Sequence, residues 1–272
     1  MPAPGLDTVL DLLACPHCGG ALTAHGPTLV CPDGHAFDVA RQGYVNLLPR
    51  AAPASADTAA MVSARERFLD TGGYDPVLTA LDQAIGDGSV LVDAGAGPGW
   101  YLQRLLAGRA GVRGLALDIS VPAVRRAARR HPRLGAAVAD TWRQLPVRDA
   151  VADVMLSVFA PRNPAEFARV LRPGGRLVVV AAQPDHLARL RDRFGLLAVE
   201  PDKQQRLESG LAAAFEVVEV IRVAFPLTLD PAMVRDLIGM GPNAFHPTRT
   251  RPPDGPLEVT AAVGLTVARL RP

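Results

Sequence analysis

Cys15, Cys18, Cys31 and His35 are the residues of this chain whose types and spacing point most directly at chemistry. They stand as C-x2-C-x12-C-x3-H, and the three cysteines are the only ones among 272 residues. Three thiolates and one imidazole in that pattern suit a single tetrahedral Zn²⁺, with two tight knuckles supplying a pair of ligands each. With no thiol left over to pair, the chain is expected in a reducing compartment, which places it in the cytoplasm.

A second group lies further along, at Asp93-Ala94-Gly95-Ala96-Gly97-Pro98-Gly99. Its glycines separate a hydrophobic strand from a helix, where the backbone must turn sharply and approach a ligand closely. A dinucleotide fingerprint would place its third glycine at position 100, where Trp100 stands. S-adenosylmethionine carries a cationic sulfonium and an ammonium instead of a pyrophosphate, so an acid at the end of the first strand suits it better. Asp118, closing the second strand, is placed for the ribose hydroxyls, and Asp140, closing the third, for the adenine. Each aspartate alone would serve as an ordinary helix cap or turn residue. Acids at three successive strand ends favour a methyl-donor site.

The elements that must position these groups alternate. Strands are expected over 90–92, 114–117, 136–139, 153–159 and 177–181, with helices over 100–106, after Ser120 and over 166–171. Two more strands, 216–223 and 258–267, flank a helix at 231–240. The expected fold class is α/β: a doubly wound, Rossmann-like methyltransferase domain with a small N-terminal zinc-binding module. The module spans 1–48, with short strands at 21–22 and 29–30, and depends on its metal for stability. Residues 49–60 read as a linker, with the 49–57 stretch rich in Ala and Pro, and a helix is expected over 59–70. The methyltransferase domain is expected over 61–272.

Nearly half the chain, 49%, is hydrophobic, enough for a sizeable core. No apolar run approaches the roughly 18–20 residues of a spanning helix, and the N-terminus lacks the basic and long apolar regions of a signal peptide. The net charge of +2 gives no overall nucleic-acid signature. Lys203 is the only lysine; arginine forks onto phosphates better than lysine, although biased codon usage in a GC-rich genome is the simpler account.

Several stretches carry a more specific signal. They include Cys15-Pro16-His17-Cys18, the run from Gly34-His35-Ala36-Phe37 to Gly43-Tyr44-Val45-Asn46-Leu47-Leu48, Phe68-Leu69-Asp70, Phe159-Ala160-Pro161-Arg162-Asn163-Pro164 and Gln183-Pro184-Asp185-His186-Leu187. On these the chain resembles, over nearly its whole length, the bacterial 23S rRNA (guanine-N1)-methyltransferases, especially the branch linked to resistance to tylosin and other mycinosylated macrolides. The resemblance implies structural Zn²⁺ on Cys15, Cys18, Cys31 and His35. It also implies that Tyr74 and His186 join the glycine loop, notably Pro98 and Gly99, around S-adenosylmethionine. By residue chemistry alone, Tyr74 would be a packing aromatic and His186 a helix-start histidine. At Ala244-Phe245-His246 the chain departs from the family, which carries tryptophan in place of Phe245.

Guanine N1 bears a proton on the Watson–Crick edge, so the base must be exposed and the proton accepted. Asp140, Asp185 and His186 are all candidates, and the sequence does not choose among them. After the fourth strand Ala160-Pro161-Arg162-Asn163 replaces an Asn-Pro-Pro-Tyr signature, against exocyclic amine methylation. The resemblance implies 23S rRNA as the partner, no membrane is expected, and a homodimer would let one subunit's zinc module complement the other's cleft. A stripe of Arg125, Arg129 and Arg133, widened by Arg126 and Arg130, would suit phosphates or simply face solvent. Tyr44 and Phe37 would stack on RNA or form the core of the module, which through residue 60 carries only Arg41 and Arg50 against five aspartates. Two other readings compete: a methyltransferase acting on a small molecule, and a non-enzymatic zinc-ribbon nucleic-acid-binding protein.

Overall fold

The computed structural model describes residues 4–50, 53, 56–246 and 255–271. In the expected linker, residues 51, 52, 54 and 55 lie outside the described residues. The strands are β1 (Thr23–His25), β2 (Thr28–Val30), β3 (Ala36–Asp38), β4 (Tyr44–Asn46), β5 (Val90–Ala94), β6 (Arg113–Asp118), β7 (Leu134–Val138), β8 (Ala152–Val158), β9 (Leu171–Ala182), β10 (Phe215–Leu229) and β11 (Leu257–Leu270). The helices are α1 (Pro4–Asp7), α2 (Ala59–Asp70), α3 (Asp75–Ala84), α4 (Trp100–Ala107), α5 (Val121–Ala127), α6 (Pro164–Val170), α7 (Ala188–Phe194), α8 (Lys203–Leu211) and α9 (Pro231–Gly239).

An eight-stranded sheet runs in the order β10-β11-β9-β8-β5-β6-β7-β4. The strands from β9 to β4 are mutually parallel, and β11 and β10 add antiparallel edges. Because side chains alternate along a strand, one sheet builds two apolar layers. Leu91, Ala116, Leu156 and Val178 point into a layer shared with α2, α3 and α4. Val92, Leu115, Met155 and Val179 point into the opposite layer with α6, α8 and the N-terminal segment. Helix starts follow local chemistry: Thr58 caps α2 by accepting from the Met61 N–H, and Ser120 caps α5 with Pro122 in its first turn.

The first 48 residues divide differently from the sequence expectation. The small sheet β1-β2-β3 carries the zinc knuckles, and the expected strand at 21–22 lies instead at Thr23–His25. β4 leaves this sheet and extends the large one as a parallel partner of β7, pairing Tyr44 with Ala136. Leu6, Val9, Leu12 and Leu13 pack in the same layer as Cys15, Cys31, Val92 and Ala137. The approach is backbone-close: a Cβ on Gly5 would sit 2.1 Å from the Leu134 carbonyl oxygen, and one on Gly135 would sit 2.1 Å from Val9. Tyr44 and Phe37 are half-buried and pack against these layers.

Since the metal-bearing cysteines and the sheet share one apolar layer, stripping the metal should unfold them together. Calorimetry of the chelator-treated protein is expected to show one cooperative transition lowered by about 10 °C, the size that a few kcal/mol produces in a chain of this length. Two separate transitions would show an independent module.

Candidate active site and metal centre

Both metal knuckles are closed by reciprocal main-chain bonds. Cys15 N–H donates to the Gly20 carbonyl and Gly19 N–H to the Cys15 carbonyl, each at 2.8 Å; Cys31 N–H donates to the His35 carbonyl and Gly34 N–H to the Cys31 carbonyl, each at 3.0 Å. The donor atoms of Cys15, Cys18, Cys31 and His35 all lie within 4.8 Å of one another. Cys18 Sγ is 3.6 Å from Cys31 Sγ, and His35 Nδ1 is 3.6 Å from Cys15 Sγ and 3.3 Å from Cys31 Sγ. Tetrahedral bonds of about 2.3 Å give edges of about 3.7 Å, so this donor set fits Zn²⁺. Cys15 and Cys31 are buried while Cys18 is exposed, and four protein ligands leave no open position, as in a structural site.

A cleft of ≈ 610 Å³ opens at the carboxyl ends of β5, β6, β7 and β8. Asp93 sits on its floor, 1% exposed, and its Oδ1 has no hydrogen-bond partner. Burial, with the Asp118 charge adding to it, pushes the Asp93 carboxyl up to about 8. An orphaned buried carboxylate is a strong counter-charge for a cation and fits the sulfonium and ammonium of S-adenosylmethionine. Asp118 holds the loop: its Oδ2 accepts the Gly97 N–H and its Oδ1 the Ser120 N–H, both at 2.8 Å. Burial also raises its carboxyl above the usual range. Asp140 Oδ1 accepts the Trp142 N–H at 3.0 Å, and its Oδ2 faces Arg143 at 3.3 Å.

On the other wall, Tyr74 Oη lies 3.1 Å from His186 Nε2. His186 Nδ1 lies against the Ala262 main chain, 3.0 Å from its oxygen and 3.1 Å from its nitrogen. Burial lowers the imidazole to about 4, so it stays neutral, and burial also raises the Tyr74 phenol.

Tyr74, Asp93, Gly95, Gly97, Pro98, Asp118, Asp140 and His186 thus line one cleft, whereas Gly99 does not. Gly99 starts α4 at φ +73°, and a Cβ there would meet Ala127 Cβ at 3.0 Å, so it sets helix packing behind the loop. Asp185 is paired with Arg222 at 2.6 Å outside the cleft, and that guanidinium holds its carboxyl low. Part of the arginine stripe is taken up by the fold: Arg126 and Arg130 both clasp Glu66, and Arg133 donates to the Leu106, Arg109 and Val112 carbonyls. The helix ends at Ala127, and Arg125, Arg126 and Arg129 are exposed.

Sequence reasoning missed Arg65, Tyr101, Trp142 and Phe159, which also line the cleft. Arg65 pairs with Asp57 at 2.6 Å and donates to the Met240 carbonyl at 2.5 Å, beside Gly97. Nothing in the α2 sequence marks it, because folding alone brings α2 over the glycine loop. Tyr101 buries its hydroxyl without a partner.

The sheet, its acid-lined cleft and the Cys₃His ribbon define a zinc-ribbon methyltransferase dependent on S-adenosylmethionine. Residues 92–179 match the family model described as "Methyltransferase domain", and residues 13–55 match the zinc ribbon described as "RlmA, N-terminal". A chain of the complex between the Haloferax volcanii Trm112 methyltransferase activator and its methyltransferase superposes with a TM-score of 0.55 at 20% identity, covering 80% of this chain and 99% of that one. A SAM-dependent methyltransferase from Aquifex aeolicus superposes at 0.53 with 14% identity, covering 78% and 98%. These two show the fold. The "23S rRNA (guanine(748)-N(1))-methyltransferase" of Streptomyces fradiae is 47% identical, covering 97% of this chain and 99% of that one. A Bacillus subtilis chain named for 23S rRNA (guanine-N1) methylation is 31% identical, covering 89% of each. The chain belongs to the 23S rRNA (guanine-N1)-methyltransferase family.

The raised Asp93 carboxyl has a definite sign. The folded protein keeps a proton that the unfolded chain releases near 3.8, so stability without ligand falls as pH rises from about 4 to about 8. A bound cation expels that proton, so affinity for S-adenosylmethionine should rise with pH up to about 8. Asp93→Asn should flatten both profiles and weaken donor binding at least tenfold, as read by calorimetric titration.

Proposed function

We propose that this chain transfers the methyl group of S-adenosylmethionine to N1 of a guanine in a 23S rRNA hairpin loop, an activity that would confer macrolide resistance of the tylosin type. The carrying observation is the orphaned Asp93 carboxylate on the floor of a cleft in a chain alike over its full length to enzymes of that name. Asp93 is read as the counter-charge to the donor, with Asp118 and Asp140 serving its ribose and adenine. Gly95, Gly97 and Pro98 form the close wall, and Tyr74 and His186 the opposite one. When bound, the donor supplies a methyl group already activated on sulfur, so the protein's own work is placement of the acceptor and exclusion of water. Of the three candidates for the guanine proton, Asp185 faces Arg222 away from the cleft, which leaves Asp140 and His186.

Residues 1–48 are read as the rRNA-recognition module on the methyltransferase domain of 61–272, despite the loan of β4 to the large sheet. The reaction belongs in the cytoplasm with its rRNA; no helix among the described residues is long and apolar enough to cross a membrane. Light scattering reads whether a second copy is also a partner. For phosphate contact, Arg162 follows Pro161 on the cleft wall, and its half-buried guanidinium and the half-buried Lys203 ammonium lie in each other's field.

Labelled S-adenosylmethionine with deproteinised 23S rRNA from an unmodified strain tests the reading. A new strong reverse-transcription stop in a hairpin loop is expected, because N1 methylation blocks pairing. Label without a stop would shift the methyl to another atom, and donor binding without label in RNA would favour a small-molecule acceptor. Arg162→Gln is expected to weaken rRNA binding across sequences and reduce the salt slope of log K by about 1.

A further inference from the structure

Strand order splits the cleft into two halves. Asp118 and Asp140 end β6 and β7 on one side of β5, while Phe159 follows β8 and His186 lies beyond β9 on the other. The first half is acidic. The second is aromatic: the Phe159 ring centroid lies 6.0 Å from that of Tyr74 and 6.1 Å from that of His186, and Tyr74 is braced in turn by Phe68 and Phe225. Tyr74 and His186 are buried, but Phe159 is 42% exposed where it lines the cleft.

Phe159 is also held in an unfavourable backbone state. Its φ is +53°, in the left-handed region that bulky residues rarely occupy. Its N–H donates to the Val180 carbonyl at 3.0 Å, and the next residue passes so close to Gly95 that a Cβ there would lie 2.3 Å from Ala160 Cβ. Strain of this kind persists where the surroundings over-determine it, and it clusters at functional sites. Solvation gains nothing from an open phenyl ring at such a place, whereas a nucleobase has a flat face to lay against it.

We propose that Phe159 is the platform on which the target base stacks once it has left its helix, set beside the Tyr74 and His186 rings where the wall of the donor site meets the acceptor half of the cleft. This rests on the rRNA reading above and adds the residue that receives the base. Every base has a stacking face, so Phe159 supplies affinity and placement, and the choice of guanine falls to other groups.

The test uses the full-length zinc-loaded protein with Phe159→Leu and Phe159→Tyr. Leucine keeps a γ-branched apolar side chain and the same backbone strain but removes the ring face; tyrosine keeps the face. For Phe159→Leu, kcat/KM toward 23S rRNA should fall about tenfold to a hundredfold, while the Kd for S-adenosylmethionine and the melting temperature stay near wild type. Phe159→Tyr should return to within about threefold of wild type. The proposal is overturned if the leucine variant keeps its rRNA activity, if donor binding weakens in parallel, or if tyrosine fails to restore. Wild-type protein that leaves 23S rRNA unlabelled overturns the rRNA reading and the platform together; a labelling wild type beside an unimpaired leucine variant overturns the platform alone.

Discussion

The backbone leaving β5 and the backbone leaving β8 meet with no room for a side chain between them, and the active cleft depends on that contact. A Cβ on Gly95 would overlap Ala160. Asp93, two residues before Gly95, lies buried on the cleft floor, and its burial together with the Asp118 charge pushes its carboxyl up to about 8. Phe159, the residue before Ala160, holds a left-handed φ of +53° with its ring partly exposed in the cleft. The Asp118 carboxylate finishes the arrangement by accepting N–H groups from both the glycine loop and the start of α5. A buried carboxyl for the donor and a partly exposed ring thus lie on the two segments that meet there.

The zinc ribbon is bound into the same design from the other face of the sheet. Cys15 and Cys31 are buried in the layer that also holds Val92, Leu115 and Ala137, and those residues lie directly behind the strands that carry Asp93, Asp118 and Asp140. The strand that follows the ribbon, β4, finishes the sheet beside β7. A metal-stabilised module anchored this way keeps a fixed orientation to the cleft, which a flexible tether would not give. The arginines of the α5 region illustrate the reverse lesson: Arg126 and Arg130 clasp Glu66 on α2, and Arg133 ties down three carbonyls. Three of the five arginines in that stretch hold two helices and a turn, and Arg125 and Arg129 face solvent.

Much of the fold was legible because it rests on local rules. Apolar runs bounded by glycine and aspartate marked β5 to β8 within a few residues and the second half of β9, whose first six residues were expected as helix end and turn; Ser120 with Pro122 marked the start of α5. Knuckle spacing marked the metal ligands because both chelating pairs are local. α3 and β4 were not legible. α3 has no distinctive cap, since Tyr74 precedes it without a side-chain bond. The three residues of β4 gain their partner only from β7, far along the chain.

For the cleft, the chain by itself determined residue chemistry at strand ends: Asp93, Asp118, Asp140 and the glycines between them. Those positions follow from the alternation of strand and helix, which sends every strand's carboxyl end to the same edge. Only the tertiary structure decided that Gly99 packs behind the loop, that Asp185 faces Arg222 outside the cleft, and that Arg65, Tyr101, Trp142 and Phe159 stand inside it. The physical reason is that burial and orientation are properties of pairs distant in sequence. A carboxylate becomes an orphan, or a phenyl ring an open platform, through what the rest of the fold places beside it.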